Sequence, residues 1–336
     1  MSHPGRPCTR DAAPRGAQRT RGTALLMAML LMAVVATLGA TAYWQQWRAW
    51  TVEQTERAHH QAGWLLTGAL DWARLIVRED GRASTVDHLG EPWAVPLQPT
   101  RLSQFLERAP ASDDADDAWL SGRIEDEQGR LNWRNLIDAV QGQPRLSPAE
   151  LARFRRLFAV LNLPEAELDH VAQQLLRAWR ADRDGANPPL RPQRLGDLAA
   201  LGLSPPTLAA LETLTTWLPE PTPVNVNTAP APVLQAAVGL DAMGARRMVE
   251  TRARGHFRSV EAFIAALGRA DLTPDATRLS VTSRHFRVTG RVRIGDTEVE
   301  QQALLVRDGT RVNVLWRQQR PLSAPLPASA VAPERG

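Results

Sequence analysis

Three patterns of apolar and polar positions follow one another along the chain, and each predicts a different kind of element. Residues 23–43 carry no charge, and a helix of that length reaches roughly 30 Å, the hydrocarbon thickness of a bilayer. Apolar residues then recur every three or four positions as far as about Arg78, which extends the same helix. We expect its first half to lie in lipid and its second half to pack against a soluble head.

Alternation of apolar and polar residues predicts the strands of that head. The predicted strands are Trp119–Ile124, Phe286–Ile294, Val299–Val306 and Arg311–Trp316. They are expected to form one antiparallel sheet over the long helix. Gly129–Asn132 is expected to return beside the first strand.

The middle of the chain, residues 147–267, has the spacing of helices. Ser147 and Glu150 are placed as a helix cap and its partner three residues later. Leu136 and Ile137 are expected to open a helical stretch, and Asn227-Thr228 to cap a helix near Pro230.

Charge indicates which side of a membrane each part faces. The first 22 residues hold five arginines and one aspartate, and Tyr43 and three tryptophans follow the apolar stretch. This asymmetry places the N-terminus in the cytoplasm and the body outside it. Beyond residue 22, 35 arginines face 35 acids, which disfavours long-range attraction to nucleic acid. The single cysteine, Cys8, precedes the span, so disulfides cannot staple the body.

Two cleavage sites compete at the N-terminus. Ala40-Thr41-Ala42 supplies the small residues of a signal-peptidase site. The other site lies between Gly22 and Thr23, where basic residues end in glycine before the apolar helix. That junction resembles a type IV prepilin leader, in which a membrane protease cuts on the cytoplasmic side and the helix is kept. The continuous helical period beyond Trp50 favours the cut after Gly22, because a cut after Ala42 discards the apolar half.

Three further segments carry a resemblance to a known family. They are Asp87–Ala94 (DHLGEPWA), Gly129–Leu136 (GRLNWRNL) and Val224–Pro230 (VNVNTAP). Together with the Gly22 junction they resemble the minor pseudopilin K family of type II secretion systems, the general secretion pathway protein K family. The resemblance covers most of residues 21–317.

The resemblance implies an α+β, pilin-like fold: a long N-terminal transmembrane helix packed on an antiparallel sheet, with a large inserted all-α lobe. The implied divisions are a cleaved leader at 1–22, the helix at 23–80, the first part of the head at 81–135, the helical insertion at 136–280, the C-terminal strands at 281–320 and a disordered tail at 321–336.

The same resemblance assigns roles near the N-terminus. A prepilin peptidase is expected to cut between Gly22 and Thr23, with methylation of the new amine on Thr23. Related pilins carry glutamate at the fifth mature position, where it pairs with the terminal amine of a neighbouring subunit. Met27 occupies that position here. Since an unpaired charge in lipid costs about 3 kcal/mol, an apolar residue suits a subunit at the tip of the fibre.

The function implied is structural. The chain is expected to be a non-enzymatic subunit at the tip of the pseudopilus, supporting its initiation and the export of folded proteins. Expected partners are the I-type and J-type minor pseudopilins, the prepilin peptidase and the inner membrane. The sequence offers no triad signature, no zinc spacing and no phosphate-cradling loop.

The resemblance implies one possible cofactor, a calcium ion. Family members share an acidic loop near Asp182 and Asp184 that binds calcium. Here Pro188-Pro189 interrupts the loop, and two carboxylates are few for a calcium cage. A solvated surface loop is therefore favoured for this pair and for the acidic run at residues 113–117, with calcium at Asp182 and Asp184 as the alternative.

Two other functions stay open. Residues 225–263 also resemble a helix–hairpin–helix, as in membrane-anchored DNA-uptake receptors, whose Gly-apolar-Gly turn grips phosphate. Asp241 occupies the second glycine position, and its carboxylate disfavours phosphate. The third reading is an ordinary signal-anchored periplasmic protein.

Overall fold

A computed structural model describes residues 20–105, 118–140, 142–180, 188–268, 275 and 277–322. The chain divides into two compact units, residues 1–58 and 59–336. Helix α1 spans Thr20–Ala83 and contributes to both units.

In the first unit, every described side chain from Thr23 to Trp50 is exposed. Leucine, methionine and alanine dominate this part of α1 and proline is absent, so local propensity supports the helix throughout. Among the described residues it is the one segment long and apolar enough, by length and composition, to cross a membrane.

In the second unit, α1 buries one stripe. Its buried members are Ala62, Leu66, Leu70, Ala73 and Val77. Their spacing of three or four residues places them on one helix face. The amphipathic continuation expected from the sequence is therefore present.

The head is a five-stranded antiparallel sheet in the order β1-β2-β9-β10-β11. These strands are β1 (Leu97–Arg101), β2 (Ala118–Asp126), β9 (His285–Ile294), β10 (Thr297–Asp308) and β11 (Arg311–Leu322). β2 and β9 are far apart in sequence but pair over nine residues, from Ala118↔Ile294 to Asp126↔Phe286. The elements between residues 126 and 285 are therefore inserted between two neighbouring strands of the sheet.

The buried stripe of α1 packs on this sheet. Leu70, Ala73 and Val77 share a core with Trp93 and Phe286. The two rings meet edge to face at 5.3 Å, a geometry that contributes about 1 kcal/mol beyond burial. Trp93 is 1% exposed, so it fills the core beside the long helix.

A second core lies among the elements between β2 and β9. Its helices are α3 (Pro148–Val160), α4 (Glu165–Arg180), α5 (Pro205–Leu211), α6 (Ala231–Val238), α7 (Ala242–Arg254) and α8 (Val260–Leu267), and a short helix α2 (Leu102–Phe105) follows β1 in the head. Trp133, Phe154 and Phe158 are fully buried at the centre of this second core. A long helix, an antiparallel sheet and a group of helices together confirm the α+β fold class.

Three short strand pairings lie among these helices. β3 (Leu131–Asn132) runs parallel to β6 (Thr215–Thr216), and β7 (Val224–Asn225) runs parallel to β8 (Leu279–Ser280). β4 (Ile137–Val140) and β5 (Gln143–Leu146) form a hairpin.

These pairings correct two expectations. Gly129–Asn132 does not return beside β2, because Leu131 and Asn132 pair with Thr215 and Thr216 instead. Leu136-Ile137 opens no α-helix: a 3-10 turn ends at Leu136, and Ile137 begins β4. A few apolar residues in a short segment do not distinguish a strand from a helix. Pairing with other segments determines which of the two forms here.

Helix ends and the tail supply further corrections. Asn227-Thr228 does not cap α6, whose N-cap residue is Pro230. Ser147 occupies the N-cap of α3 but makes no side-chain cap bond. The predicted tail at 321–336 begins too early, since β11 continues to Leu322; the rest of that range lies outside the described residues.

Candidate functional site

The three segments that carry the family resemblance meet at the end of β2. Asp126, the last residue of that strand, is 7% exposed. Its Oδ2 accepts hydrogen bonds from Thr228 Oγ1 and Ser283 Oγ, both at 2.6 Å, and from Asn225 Nδ2 at 3.1 Å. Its Oδ1 accepts from the backbone N–H of Gln128 at 2.8 Å. One carboxylate therefore joins the sheet to two later parts of the chain.

Burial dominates the titration of Asp126. Loss of water raises the pKa of its carboxyl to about 6, although the donors from Ser283, Thr228 and Gln128 favour the charged form. Both hydroxyls donate to a carboxylate, so they act as hydrogen-bond donors rather than as freed nucleophiles.

Asn225 and Asn227 hold the third segment in place. Asn225 Nδ2 also donates to the backbone oxygen of Asp87 at 3.1 Å and to Ser283 Oγ at 2.9 Å. Asn227 makes a reciprocal pair with the backbone of Phe257, each bond being 2.9 Å long. Asn227 thus fixes the loop before α8 instead of capping α6.

Asn132 and Asn135 in the second segment hold another loop. Asn132 donates to the backbone oxygen of Glu220 at 2.8 Å and accepts from the backbone N–H of Leu218 at 3.1 Å. Asn135 and the backbone of Thr222 exchange two bonds, of 2.8 and 3.0 Å. Side-chain amides replace the regular backbone pairing that this loop lacks.

Asp87 in the first segment is bound by Arg307 from β10. Arg307 Nη2 lies 2.5 and 2.6 Å from the two carboxylate oxygens, and also donates to the backbone oxygen of Ser283 at 2.9 Å. Arg307 Nη1 reaches Asp80 in the last turns of α1 at 3.1 Å. Burial raises the pKa of Asp87 despite this cation.

Glu91 lies beside the same group of charges. Its Oε2 accepts from the backbone N–H of His88 at 2.9 Å and from Trp93 Nε1 at 2.7 Å. Its Oε1 is buried and has no hydrogen-bond partner. Burial, together with the nearby charges of Glu91 and Asp87, raises the pKa of Asp80 to about 6.

Glu127, which is fully buried, lies next to Asp126 and forms a charge cluster with two arginines. It pairs with Arg130 at 2.9 Å and with Arg287 at 2.8 Å, and accepts a hydrogen bond from Thr216. A carboxylate with two guanidinium partners keeps its charge inside a core, while removing one partner leaves an unpaired buried charge.

The hairpin of α6 and α7 is the part that resembles a DNA-binding unit. Gly239 ends α6 with φ 73°, and Asp241 Oδ1 accepts from the backbone N–H of Gly244 at 2.7 Å, so it caps α7. Arg252 donates to the backbone oxygens of Val226 and Ala229 at 2.7 and 2.6 Å, and burial lowers its pKa to about 10. The carboxylate occupies the helix N-terminus that a phosphate needs.

The residues singled out from the sequence fall elsewhere. Gly22 lies within the bounds of α1, and Thr23 and Met27 are exposed on α1 in the first unit. Asp182 and Asp184 lie outside the described residues, as does the acidic run at 113–117. Among the residues that the structure describes, it brings together parts of the three resemblance segments.

Asp126, Ser283, Arg307 and Asp80 were missed by the sequence reasoning. One available signal was the position of Asp126, an acid that ends an otherwise alternating strand. Its partners lie 99, 102 and 157 residues away, so no local pattern reveals them.

Comparisons with known proteins agree on one family. The family model described as type II secretion system (T2SS), protein K, matches residues 224–282, from β7 to just beyond β8. A Pseudomonas aeruginosa protein named type II secretion system protein K is 29% identical over 334 residues, covering 92% of this chain and 95% of its own length. A Pectobacterium carotovorum protein of the same name is 26% identical and covers 89% and 96%.

A solved structure has a similar fold. It is the crystal structure of the GspK-GspI-GspJ complex from the enterotoxigenic Escherichia coli type 2 secretion system, which matches with a TM-score of 0.62 at 20% identity, over 80% of this chain and 98% of the matched chain.

Proposed function

We propose that the chain is a member of the type II secretion system protein K family and a minor pseudopilin at the tip of the pseudopilus, because the family model matches residues 224–282 and relatives of that name align over most of its length. In that role it supports initiation of the fibre and export of folded proteins across the outer membrane, without catalysis. The observation that carries the proposal is that one chain contains both an apolar helix long enough to cross a membrane and a five-stranded antiparallel head. The alignment with a relative named type II secretion system protein K covers 92% of this chain.

The proposed location is the inner membrane. The arginine-rich first 22 residues would stay in the cytoplasm, α1 would cross the bilayer once, and the body would lie in the periplasm. Prepilin peptidase would cut between Gly22 and Thr23, and Met27 would leave the tip subunit with no charge to pair in lipid.

The proposed partners are the I-type and J-type minor pseudopilins. A related fold is seen in a complex of that composition. The test is co-purification of tagged full-length chain with both partners from detergent-solubilised membranes, with an equally expressed unrelated single-span protein as control. Recovery of both partners above the control supports the proposal; an abundant membrane-bound chain that retains neither overturns it.

The second candidate function is DNA uptake, because the α6–α7 hairpin resembles a DNA-binding unit. Asp241 caps α7, and Arg252 is committed to backbone oxygens, so both count against phosphate binding. Arg246 and Arg247 remain exposed. Full-length chain in detergent should not shift single- or double-stranded DNA at about 50 mM salt, where electrostatic binding is strong. A shift that Arg246→Ala and Arg247→Ala together remove would favour the DNA receptor.

Calcium at Asp182 and Asp184 stays a prediction of the sequence.

A further inference from the structure

Three carboxylates converge where α1 ends. Asp80 belongs to the last turns of α1, and Asp87 and Glu91 belong to the segment that follows it. One oxygen from each lies within 4.8 Å of the other two. All three side chains are at least nine-tenths covered, with exposures of 9%, 2% and 6%.

The charges in this group do not balance. Arg307 pairs with Asp80 and Asp87, which sets one guanidinium against three carboxyl groups. His88 Nδ1 accepts a hydrogen bond from the backbone N–H of Gly90 at 3.1 Å. Its Nε2 is 3.8 Å from Glu91 Oε1, too far for a hydrogen bond.

Glu91 Oε1 is the independent observation that points to a missing ligand. The other oxygen of this carboxylate has two donors, whereas Oε1 is buried and has none. Buried polar atoms are nearly always paired, so an orphan at an acidic group indicates a positive partner.

We propose that a divalent cation, Ca²⁺ in the first instance, binds between Asp80, Asp87 and Glu91. Carboxylate oxygens are the ligands that Ca²⁺ prefers, and the three residues of the group all offer a carboxylate oxygen. The cation satisfies Glu91 Oε1 and offsets the excess negative charge.

Arg307 limits the affinity. It stays bonded to Asp87 and repels a second cation, so we expect binding in the range of weak extracellular sites, about 10⁻⁴–10⁻³ M. Because Asp80 lies in the last turns of α1 while Glu91 accepts a hydrogen bond from Trp93 in the head core, the cation joins the end of the long helix to that core.

Terbium luminescence gives a local readout. Tb³⁺ replaces Ca²⁺ at oxygen sites, and Trp93 Nε1 lies 2.7 Å from Glu91 Oε2, so excitation of tryptophan should sensitise a bound ion. Full-length chain in detergent, first stripped with EDTA, is titrated with Tb³⁺, and Ca²⁺ is then added as competitor. The expected result is a saturable signal that millimolar Ca²⁺ removes.

Variants locate the signal. Glu91→Gln removes a ligand charge at nearly constant shape and should weaken binding by roughly tenfold or more, since even outer-shell changes cost that much. Glu79→Gln, on the exposed face of the same helix end, is the matched control and should bind as the native chain does. Asp80→Asn supplies the same readout if Glu91→Gln does not fold.

Three results overturn the site: no saturable Tb³⁺ signal, binding by Glu91→Gln and Asp80→Asn as tight as that of the native chain, or loss of the signal only in the double variant Asp182→Asn, Asp184→Asn. The last result assigns the ion to the acidic loop instead. None of these outcomes depends on partner binding, so the site can fail while the proposed pseudopilin function stands.

Discussion

Asn225 Nδ2 lies 3.1 Å from Asp126 Oδ2 and 3.1 Å from the backbone oxygen of Asp87. One amide therefore bridges positions 99 and 138 residues away in sequence. The bridge joins the last residue of β2, the segment after α1 and β7, which lies between α5 and α6. Two of the resemblance segments, Asp87–Ala94 and Val224–Pro230, therefore share one buried polar network with the end of β2.

Replacing Asn225 by aspartate tests that network. Asn225→Asp places a second carboxylate against Asp126 and removes a donor, so the free energy of unfolding should fall by about 3–5 kcal/mol, the cost of an unpaired buried charge. Chemical denaturation of the full-length chain in detergent measures it. Asn313→Asp, at an exposed position of β11, should change stability by less than about 0.5 kcal/mol. Equal effects of the two changes would refute the role of Asn225.

Asp126 should make stability depend on pH. Its pKa is about 6 in the fold and about 3.9 when unfolded, so the folded chain binds the proton more tightly. The contribution of Asp126 is therefore fully present below about pH 4 and is lost as pH rises to about 6, by up to about 3 kcal/mol. Asp126→Asn should remove this part of the slope of unfolding free energy against pH. A slope that the variant leaves unchanged contradicts the assignment.

Gly129 is required by a close approach. A Cβ at this position would lie 2.8 Å from Thr228 Oγ1 and 3.2 Å from the backbone carbon of Thr228. Gly129→Ala should therefore cost about 1–3 kcal/mol by forcing the two segments apart. Gly196→Ala is the control, because nothing lies within 4 Å of its Cβ position. Thermal unfolding of both variants decides the point, and a Gly129→Ala chain as stable as the control would count against the contact.

Asp241 should act as a helix cap. Removing its hydrogen bond to the backbone N–H of Gly244 in Asp241→Ala should cost about 1 kcal/mol. Glu250→Ala, at an exposed site on the same helix, should cost less than about 0.5 kcal/mol. Denaturant midpoints give the comparison. If Asp241→Ala destabilises the chain no more than Glu250→Ala does, Asp241 does not stabilise α7 as its cap.

Periodic patterns predicted the parts of this fold that depend on local sequence. The apolar run and its helical continuation predicted α1, and alternation predicted β2, β9, β10 and β11. Each of these elements carries its own burial pattern over six or more residues, so its type can be read without knowing its neighbours.

The short pairings escaped prediction for the opposite reason. Leu131 and Asn132 form a strand because Thr215 and Thr216 lie beside them, and a two-residue strand has no period of its own. The network around Asp126 is likewise built from single polar residues far apart in sequence. The resemblance segments marked the places that meet, but their hydrogen bonds required the fold.

The N-terminus of the membrane-bound chain tests the central claim most directly. N-terminal sequencing of protein from the membrane fraction should begin at Thr23, with a methylated amine and the apolar part of α1 retained. A chain that begins at Tyr43, free in the soluble fraction, would show that the apolar helix is a discarded signal and would contradict the account.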